Sequence, residues 1–309
     1  MTTSPTAVIC TPLELEHRAV RDLLGGSPAE ERRGDSVYEL HDFRGRKVQW
    51  RLVLALTGRR NEDTSAAVGE ALDTWRPQVL LLVGVGGGLR DARVGDVVAA
   101  TKVYGYEGGQ DTDLGLRPRI DSLPTSRILK EQGERVSIEG TWIWRADPEA
   151  LSAPTVHHRP IASGGKVVTG STSYTAELIR EHCGDATAID MEGYGAMAAA
   201  RRARGVEATV IRGVSDLLDD KDKETDRQTQ PMAARRAAAF ALALLDRYDP
   251  EPAERAPAPR APQSGSTYNF SPGQGGNMNV GSIGDNTTTH IGSIGANSTG
   301  RVYRPYEGP

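Results

Sequence analysis

Apolar and polar residues alternate in blocks along the first 245 positions, and the blocks predict strands and helices in turn. Unbroken apolar runs at residues 7–10 and 79–83 indicate strands that are buried on both faces, as in a parallel sheet. Apolar residues at helical spacing follow the first run as far as Gly25, and a second helix is predicted over residues 61–75, before Pro77. This alternation is typical of an α/β fold.

The later blocks continue the alternation. They predict a hairpin (37–41 with 48–56), a strand centred on 94–98, a strand over 161–168, a helix over 174–183, an Ala-rich helix over 196–203, a strand over 207–214 and a closing helix over 233–245. Residues 105–146 are polar and predict a surface excursion of the kind that forms a rim or lid. We therefore expect one three-layer α/β domain over residues 1–248, with a central mixed, mostly parallel sheet flanked by helices.

A glycine-rich run, Gly84-Val85-Gly86-Gly87-Gly88, directly follows the predicted strand at 79–83. Glycines at the end of a buried strand leave the backbone bare, so a ligand can approach closely and amide N–H groups can point into a pocket. The spacing differs from the dinucleotide fingerprint, and the Lys and Ser/Thr of a P-loop are missing. The alternative interpretation is a simple glycine turn.

Two carboxylates flank the last predicted helix–strand unit. Glu192 stands in Asp190-Met191-Glu192-Gly193, and Asp216 follows the strand that contains Arg212. Acids at these places are either helix-end residues stabilised by the helix dipole and by capping, or ligands at the carboxyl edge of the sheet. The residues by themselves leave both interpretations open.

The composition of the chain indicates which partners and which cellular compartment are favoured. The net charge of −4 does not favour a protein surface that binds nucleic acid or a membrane. The chain shows no apolar run long enough to span a bilayer and no signal-peptide pattern at its start. Its two cysteines, Cys10 and Cys183, are far apart and predict reduced thiols rather than a disulfide framework, which favours a cytoplasmic protein.

The C-terminal residues have a different composition. Residues 249–262 are rich in Pro and Ala and predict an extended linker. Residues 263–309 are rich in Gly, Asn, Ser and Thr, and Val280-Gly281-Ser282-Ile283-Gly284 is echoed by Ile291-Gly292-Ser293-Ile294-Gly295. Such a tail is either disordered or able to stack into cross-β structure through Asn ladders and alternating Ile/Val. It loosely resembles bacterial amyloid signalling motifs.

Four motifs, in this order, resemble the nucleoside phosphorylase superfamily and, within it, the methylthioadenosine/S-adenosylhomocysteine nucleosidases. They are the glycine run with Val94-Gly95-Asp96-Val97-Val98, then Ser163-Gly164, then Asp190-Met191-Glu192, then Arg212-Gly213-Val214-Ser215-Asp216. The similarity covers residues 7–245. It implies a purine N-glycosidase that needs no metal or cofactor and that forms a homo-oligomer.

The resemblance also implies roles for individual residues. Asp216 matches the acid that hydrogen-bonds or protonates the purine at N7, while Met191 and Glu192 match the pair at the ribose. Glu16 best matches the carboxylate that activates water, with Glu14 as the alternative. The other implied substrate-binding residues are Val85, Gly86, Gly87, Val167, Val168, Ser215 and Arg212. An acid at the base, a carboxylate at the sugar and a carboxylate that orients water are the groups that N-glycoside cleavage needs.

Phosphorylases of this superfamily hold phosphate with an Arg before the glycine run and a Ser within it. Leu82 and Val85 occupy those positions here and cannot bind an anion, so hydrolysis is favoured over phosphorolysis. The arginines Arg59, Arg60, Arg117 and Arg119 are candidates for the phosphates of a nucleotide substrate, or else ordinary solvated residues.

Relatives of this domain also occur as effectors in bacterial anti-phage systems, where some remove adenine from ATP. We therefore expect either an adenine nucleosidase regulated by assembly of its tail, or a housekeeping methylthioadenosine/S-adenosylhomocysteine nucleosidase with an incidental tail.

Overall fold

The computed structural model describes residues 4–113, 115–218 and 223–250. The predicted linker, apart from residues 249 and 250, and the predicted tail lie outside the described residues. The strands are β1 (Thr6–Thr11), β2 (Ala29–Arg33), β3 (Ser36–Arg44), β4 (Gln49–Leu56), β5 (Val79–Gly88), β6 (Val97–Gly105), β7 (Gly109–Thr112), β8 (Gly115–Pro118), β9 (Asp121–Pro124), β10 (Val156–Ser163), β11 (Ala188–Asp190) and β12 (Glu207–Leu217). The helices are α1 (Glu14–Leu24), α2 (Asn61–Trp75), α3 (Arg127–Glu139), α4 (Ile143–Ala146), α5 (Tyr174–His182), α6 (Gly193–Arg202) and α7 (Lys223–Arg247).

The main sheet runs in the order β11-β10-β6-β12-β5-β1-β4-β3-β2, with β9 paired to β6. The central pairs β1–β4, β1–β5, β12–β5, β10–β6 and β10–β11 are parallel, whereas β12–β6 and the hairpins are antiparallel. The predicted mixed sheet is therefore confirmed, and among the described residues its pairings divide equally between parallel and antiparallel. Apolar residues from α1, α3, α4 and α7 cover one face, and those of α2 and α6 cover the other.

The glycine run is part of β5 rather than a turn after it, because β5 extends to Gly88. At its end β5 also pairs with β11, where Ala188 faces Gly88 and Ile189 faces Gly87, so that β5, β12, β6, β10 and β11 form a closed ring. A Cβ on Gly86 would lie 2.9 Å from the carbonyl oxygen of Ile189, closer than real Cβ contacts. Glycine is therefore required at position 86, because β11 crosses β5 there at close range.

Several predicted boundaries were wrong. The strand predicted at 161–168 is β10, which ends at Ser163, and the strand predicted at 207–214 continues through Asp216. Helix α7 begins ten residues before the predicted position 233. The polar segment at 105–146 is not only a surface excursion, since it contains α3, whose Leu129 and Val136 lie in the core. Within it, β7 and β8 pair only with each other among the described residues.

Candidate active site

A cavity of about 1080 Å³ opens at the carboxyl ends of the parallel strands, which is the usual ligand position in an open α/β sheet. Its walls come from the residues that follow β1, β4 and β10 and from the last residues of β5, β11 and β12. The acidic lining residues are Glu14, Glu16, Asp22, Asp190, Glu192 and Asp216, and the basic ones are Arg18, Arg59, Lys166 and Arg235.

Glu16 lies in the first turn of α1 with 2% of its surface exposed. Its Oε2 accepts a hydrogen bond from the Leu13 N–H at 2.7 Å, and its Oε1 accepts one from the Val85 N–H at 2.7 Å. Burial raises the pKa of Glu16 to about 7, although the charge of Arg212 and the two amides act in the opposite direction. A carboxylate with a pKa near neutrality, facing a cavity, is suited to take a proton from water.

Arg212 lies behind the cavity, because its side chain is fully buried in β12. Its Nε donates to Asp190 Oδ2 at 2.8 Å and its Nη2 donates to Glu192 Oε2 at 3.1 Å, while its Nη1 lies 4.0 Å from Glu16 Oε1. Arg212 was predicted to bind the substrate, but its buried side chain does not line the cavity. Instead, one guanidinium holds three carboxylates in place.

Glu192 is the residue before α6, and 7% of its surface is exposed. Its Oε1 accepts a hydrogen bond from the Arg60 N–H at 3.1 Å, in addition to the contact with Arg212. Burial raises the pKa of Glu192, and the nearby Asp190 carboxylate acts in the same direction against the charge of Arg212. The side chain does not cap its helix, so a helix-end role does not explain its position.

Asp216 lies within β12, just after a register shift in the pairing with β5 between Val214 and Asp216. The shift adds one residue to β12 at Ser215, whose Oγ donates to Asp216 Oδ1 at 2.6 Å. Both side chains are buried, line the cavity, and lie beside Gly86 and Gly87 in the adjacent strand. The interpretation of Asp216 as a helix cap is therefore wrong.

Gly84 fits closely between Arg212 and Glu16. A Cβ at this position would lie 2.3 Å from both Arg212 Nη1 and Glu16 Oε1. We expect Gly84→Ala to displace the buried ion pair and to lower the free energy of unfolding by about 3 kcal/mol, because separated buried charges lose their compensation. Urea unfolding of the variant would measure the loss.

The matched control is Gly69→Ala, since Gly69 lies inside α2 with nothing within 4 Å of the added Cβ. Alanine there should be neutral or stabilising by up to about 1 kcal/mol. Equal unfolding midpoints for the two variants would contradict the close packing at Gly84.

A sequence model of the Phosphorylase superfamily matches residues 6–248. The chain belongs to this superfamily. The match spans every strand of the main sheet and all the carboxylates around Arg212.

Curated relatives in the superfamily include nucleosidases. The ATP nucleosidase Cap17 of Escherichia coli (strain KTE188) is 26% identical over an alignment of 251 residues that covers 75% of this chain and 50% of that protein. The chain thus spans about half the length of this relative. The 5'-methylthioadenosine/S-adenosylhomocysteine nucleosidase of Haemophilus ducreyi is 27% identical over 196 residues, covering 60% of this chain and 76% of that one.

Solved structures in the superfamily share the fold. Futalosine hydrolase of Helicobacter pylori strain 26695 superimposes with a TM-score of 0.66 at 19% identity, covering 79% of this chain and 99% of that one. The Helicobacter pylori 5'-methylthioadenosine/S-adenosylhomocysteine nucleosidase with butyl-thio-DADMe-Immucillin-A gives 0.67 at 19% identity, covering 80% and 100%.

Most of the predicted site residues line the same cavity. Those that do so are Glu16, Val85, Gly86, Gly87, Val167, Val168, Met191, Glu192, Ser215 and Asp216, with the alternative Glu14 exposed at the edge. Arg59 also lines it, whereas the exposed side chains of Arg60, Arg117 and Arg119 do not.

Sequence reasoning missed some of the cavity wall. It overlooked Gln230 and Pro231, which come from the start of α7 that had been predicted too short. It also gave no role to Arg235, in the predicted part of that helix, or to Lys166, in the segment after β10. It quoted Asp190 as part of a motif but gave it no role. Within the described residues, His, Cys, Asp and Glu form no group that could hold a metal ion. No described helix is both long and apolar enough to cross a membrane.

Proposed function

We propose that this protein is a purine nucleosidase that hydrolyses the N-glycosidic bond of an adenine nucleoside or nucleotide. The observation that carries the proposal is Glu16, a buried carboxylate with a pKa of about 7 that lines a cavity shared with Glu192 and Asp216. Membership of the superfamily and the similarity to two kinds of adenine nucleosidase support this reaction class.

In the proposed reaction, Asp216 donates a proton to N7 of the purine as the bond between N9 and C1' breaks. The electron pair of that bond leaves with the base, and positive charge develops on the sugar ring. Glu192 accepts hydrogen bonds from the ribose hydroxyls and holds the ring. Glu16 takes a proton from a water molecule whose oxygen attacks C1'. The products are the free base and the free sugar, and both carboxylates are then ready for proton exchange with solvent.

Two features support water over phosphate as the nucleophile. Leu82, at the position of the expected anion-binding arginine, is a buried strand residue, and the Val85 N–H is already bound to Glu16. The buried carboxylates Glu16, Asp190 and Glu192 also share a single arginine, so an incoming phosphate dianion would be repelled.

The test is an assay of the purified full-length protein for adenine release from methylthioadenosine, S-adenosylhomocysteine, adenosine, AMP and ATP, with and without phosphate. We expect free ribose or its derivative as the product, at a rate that phosphate does not change. Formation of sugar 1-phosphate would show a phosphorylase instead. Absence of base release from every substrate would contradict a nucleosidase.

The pKa of Glu16 predicts opposite pH dependences for activity and stability. The proposed base works only when ionised, so kcat/KM should rise with pH through about 7. The unfolded chain releases this proton near the ordinary value of 4.5, whereas the folded protein keeps it up to about 7. Because the folded state binds more protons between these values, the free energy of unfolding should fall by about 3 kcal/mol as the pH rises through the interval.

A pH–rate profile and urea unfolding at several pH values measure the two trends. In Glu16→Gln residue 16 cannot titrate, so its contribution to the pH dependence of kcat/KM and of the free energy of unfolding should be lost. A wild-type stability that rises between pH 4.5 and 7 would contradict the buried carboxyl.

We also propose that residues 263–309 regulate the enzyme by self-assembly, as in a bacterial anti-phage effector, and that the catalytic part acts as a cytoplasmic homo-oligomer. The repeated Val/Ile-Gly-Ser-Ile-Gly sequence and the similarity to an ATP nucleosidase support this. Thioflavin binding and seeded fibre growth by a peptide of residues 263–309 test it. A peptide that remains monomeric and unstructured at high concentration would contradict it.

A further inference from the structure

The turn between β4 and α2 brings an arginine to the cavity through an unusual backbone. Arg60 has φ 76° and ψ 156°, a region that residues other than glycine almost never adopt. Its N–H donates to Glu192 Oε1 at 3.1 Å, and Asn61 Oδ1 accepts from the Gly195 N–H at 2.8 Å. These contacts fix the turn against the start of α6, and Arg59 lies in it as an exposed lining residue. Conformations of this kind persist where the surroundings impose them, and they cluster at ligand sites.

The outer wall of the cavity carries two cations that are available to a ligand. Within the described part of the chain, Arg59 and Lys166 form no ion pair or side-chain hydrogen bond, and both are exposed. Arg18, in contrast, lies 3.2 Å from the Glu14 carboxylate, and Arg235 donates to a backbone carbonyl at 2.7 Å. Asp22 is the remaining acid of this outer wall. Arg59 lies in the segment after β4, and Lys166 lies in the segment after β10.

The size of the cavity also bears on the ligand. Its volume of about 1080 Å³ is slightly above the range of about 300–1,000 Å³ that is usual for small-molecule sites. A nucleoside held between Glu192 and Asp216 would leave the outer part, where Arg59 and Lys166 lie, for a further group. Arg59 is adjacent in sequence to Arg60, whose amide binds Glu192, and it lines the same cavity as Glu192.

We propose that Arg59 and Lys166 bind the phosphates of the substrate, so that the enzyme acts on adenine nucleotides in preference to neutral nucleosides. This rests on the proposed function. The planar guanidinium of Arg59 suits bidentate binding of phosphate oxygens, and the ammonium of Lys166 supplies a second positive charge. A neutral 5' group leaves both cations without a partner.

The experiment compares kcat/KM for ATP, AMP, adenosine and methylthioadenosine in the full-length protein and in three variants, Arg59→Ala, Lys166→Ala and Arg117→Ala. Arg117 is an exposed arginine of β8 outside the cavity and serves as the charge-matched control. We expect Arg59→Ala and Lys166→Ala each to lower kcat/KM for the nucleotides by about tenfold to a hundredfold, and to leave the neutral nucleosides unchanged. Arg117→Ala should match the wild type throughout.

Equal losses for nucleotides and nucleosides, unchanged nucleotide kinetics in both variants, or a wild-type preference for methylthioadenosine over ATP would overturn the proposal. If neither these four compounds nor S-adenosylhomocysteine is cleaved, the proposed function fails, and calorimetric titration with AMP and ATP then tests the subsite alone. Binding by the wild type that weakens about tenfold or more in Arg59→Ala would support the phosphate site without the reaction. Absence of nucleotide binding by the wild type would overturn it.

Discussion

Asp216→Asn should abolish most of the turnover while leaving the protein folded. Asparagine has nearly the same shape as aspartate and can keep a hydrogen bond with Ser215, but it cannot donate an acidic proton to the departing purine. Loss of a general acid costs about 10²- to 10⁴-fold in rate. We expect a fall of this size in kcat with a KM within a few fold of the wild type. Steady-state adenine release from the best substrate measures both constants.

Ser215→Ala is the companion variant, because it removes the hydrogen bond of 2.6 Å and keeps the acid. It should lose about tenfold in rate or less, in line with the contribution of one ordinary hydrogen bond. Near-normal turnover of Asp216→Asn would show that the base leaves without a proton from this residue.

Glu16→Gln should have the second large effect. The amide cannot accept a proton from water, so kcat should fall by about 10²- to 10⁴-fold. Both oxygens of Glu16 accept backbone N–H groups, from Leu13 and from Val85. The NH₂ group of glutamine must therefore face one of these donors, and this strains the turn before α1. Rapid-quench kinetics of adenine release, together with thermal unfolding, would separate the chemical loss from the structural one.

Glu14→Gln is the matched control on the same helix, because Glu14 is exposed at the edge of the cavity. It should stay within a few fold of the wild type. If Glu14→Gln lost the larger share of kcat, the water-activating role would belong to Glu14 and the assignment of Glu16 would be wrong.

The sequence predicted the elements whose signals are local. Helix α2 was predicted at its observed bounds, because an apolar stripe and Pro77 define it without reference to other segments. Strand β2, with the sequence AEERR, has no apolar pattern and forms by pairing with β3 at the sheet edge, so it was missed. The first ten residues of α7 are polar and contain Pro231, and they were also missed.

The candidate site also has features that could be expected from the sequence and features that could not. The roles of Glu16, Glu192 and Asp216 were expected from the resemblance to the nucleoside phosphorylase superfamily, and all three residues line the cavity. The burial of Arg212 could not be predicted, because an arginine inside a strand is buried only when several distant carboxylates surround it. The bond from the Arg60 amide to Glu192 joins residues 132 positions apart and leaves no signal in either segment.

The ring that β11 closes by pairing with both β10 and β5 also affects how the site can move. The segment that carries Asp190 and Glu192 is held by backbone hydrogen bonds on two sides, and the strand that carries Asp216 is part of the same ring. Moving one wall of the cavity away from the others would break backbone hydrogen bonds between buried strands of this ring. We therefore expect this part of the cavity to bind its ligand without rearrangement of the strands. Any conformational change that accommodates different substrates should then occur in the turns and helix ends at the mouth of the cavity.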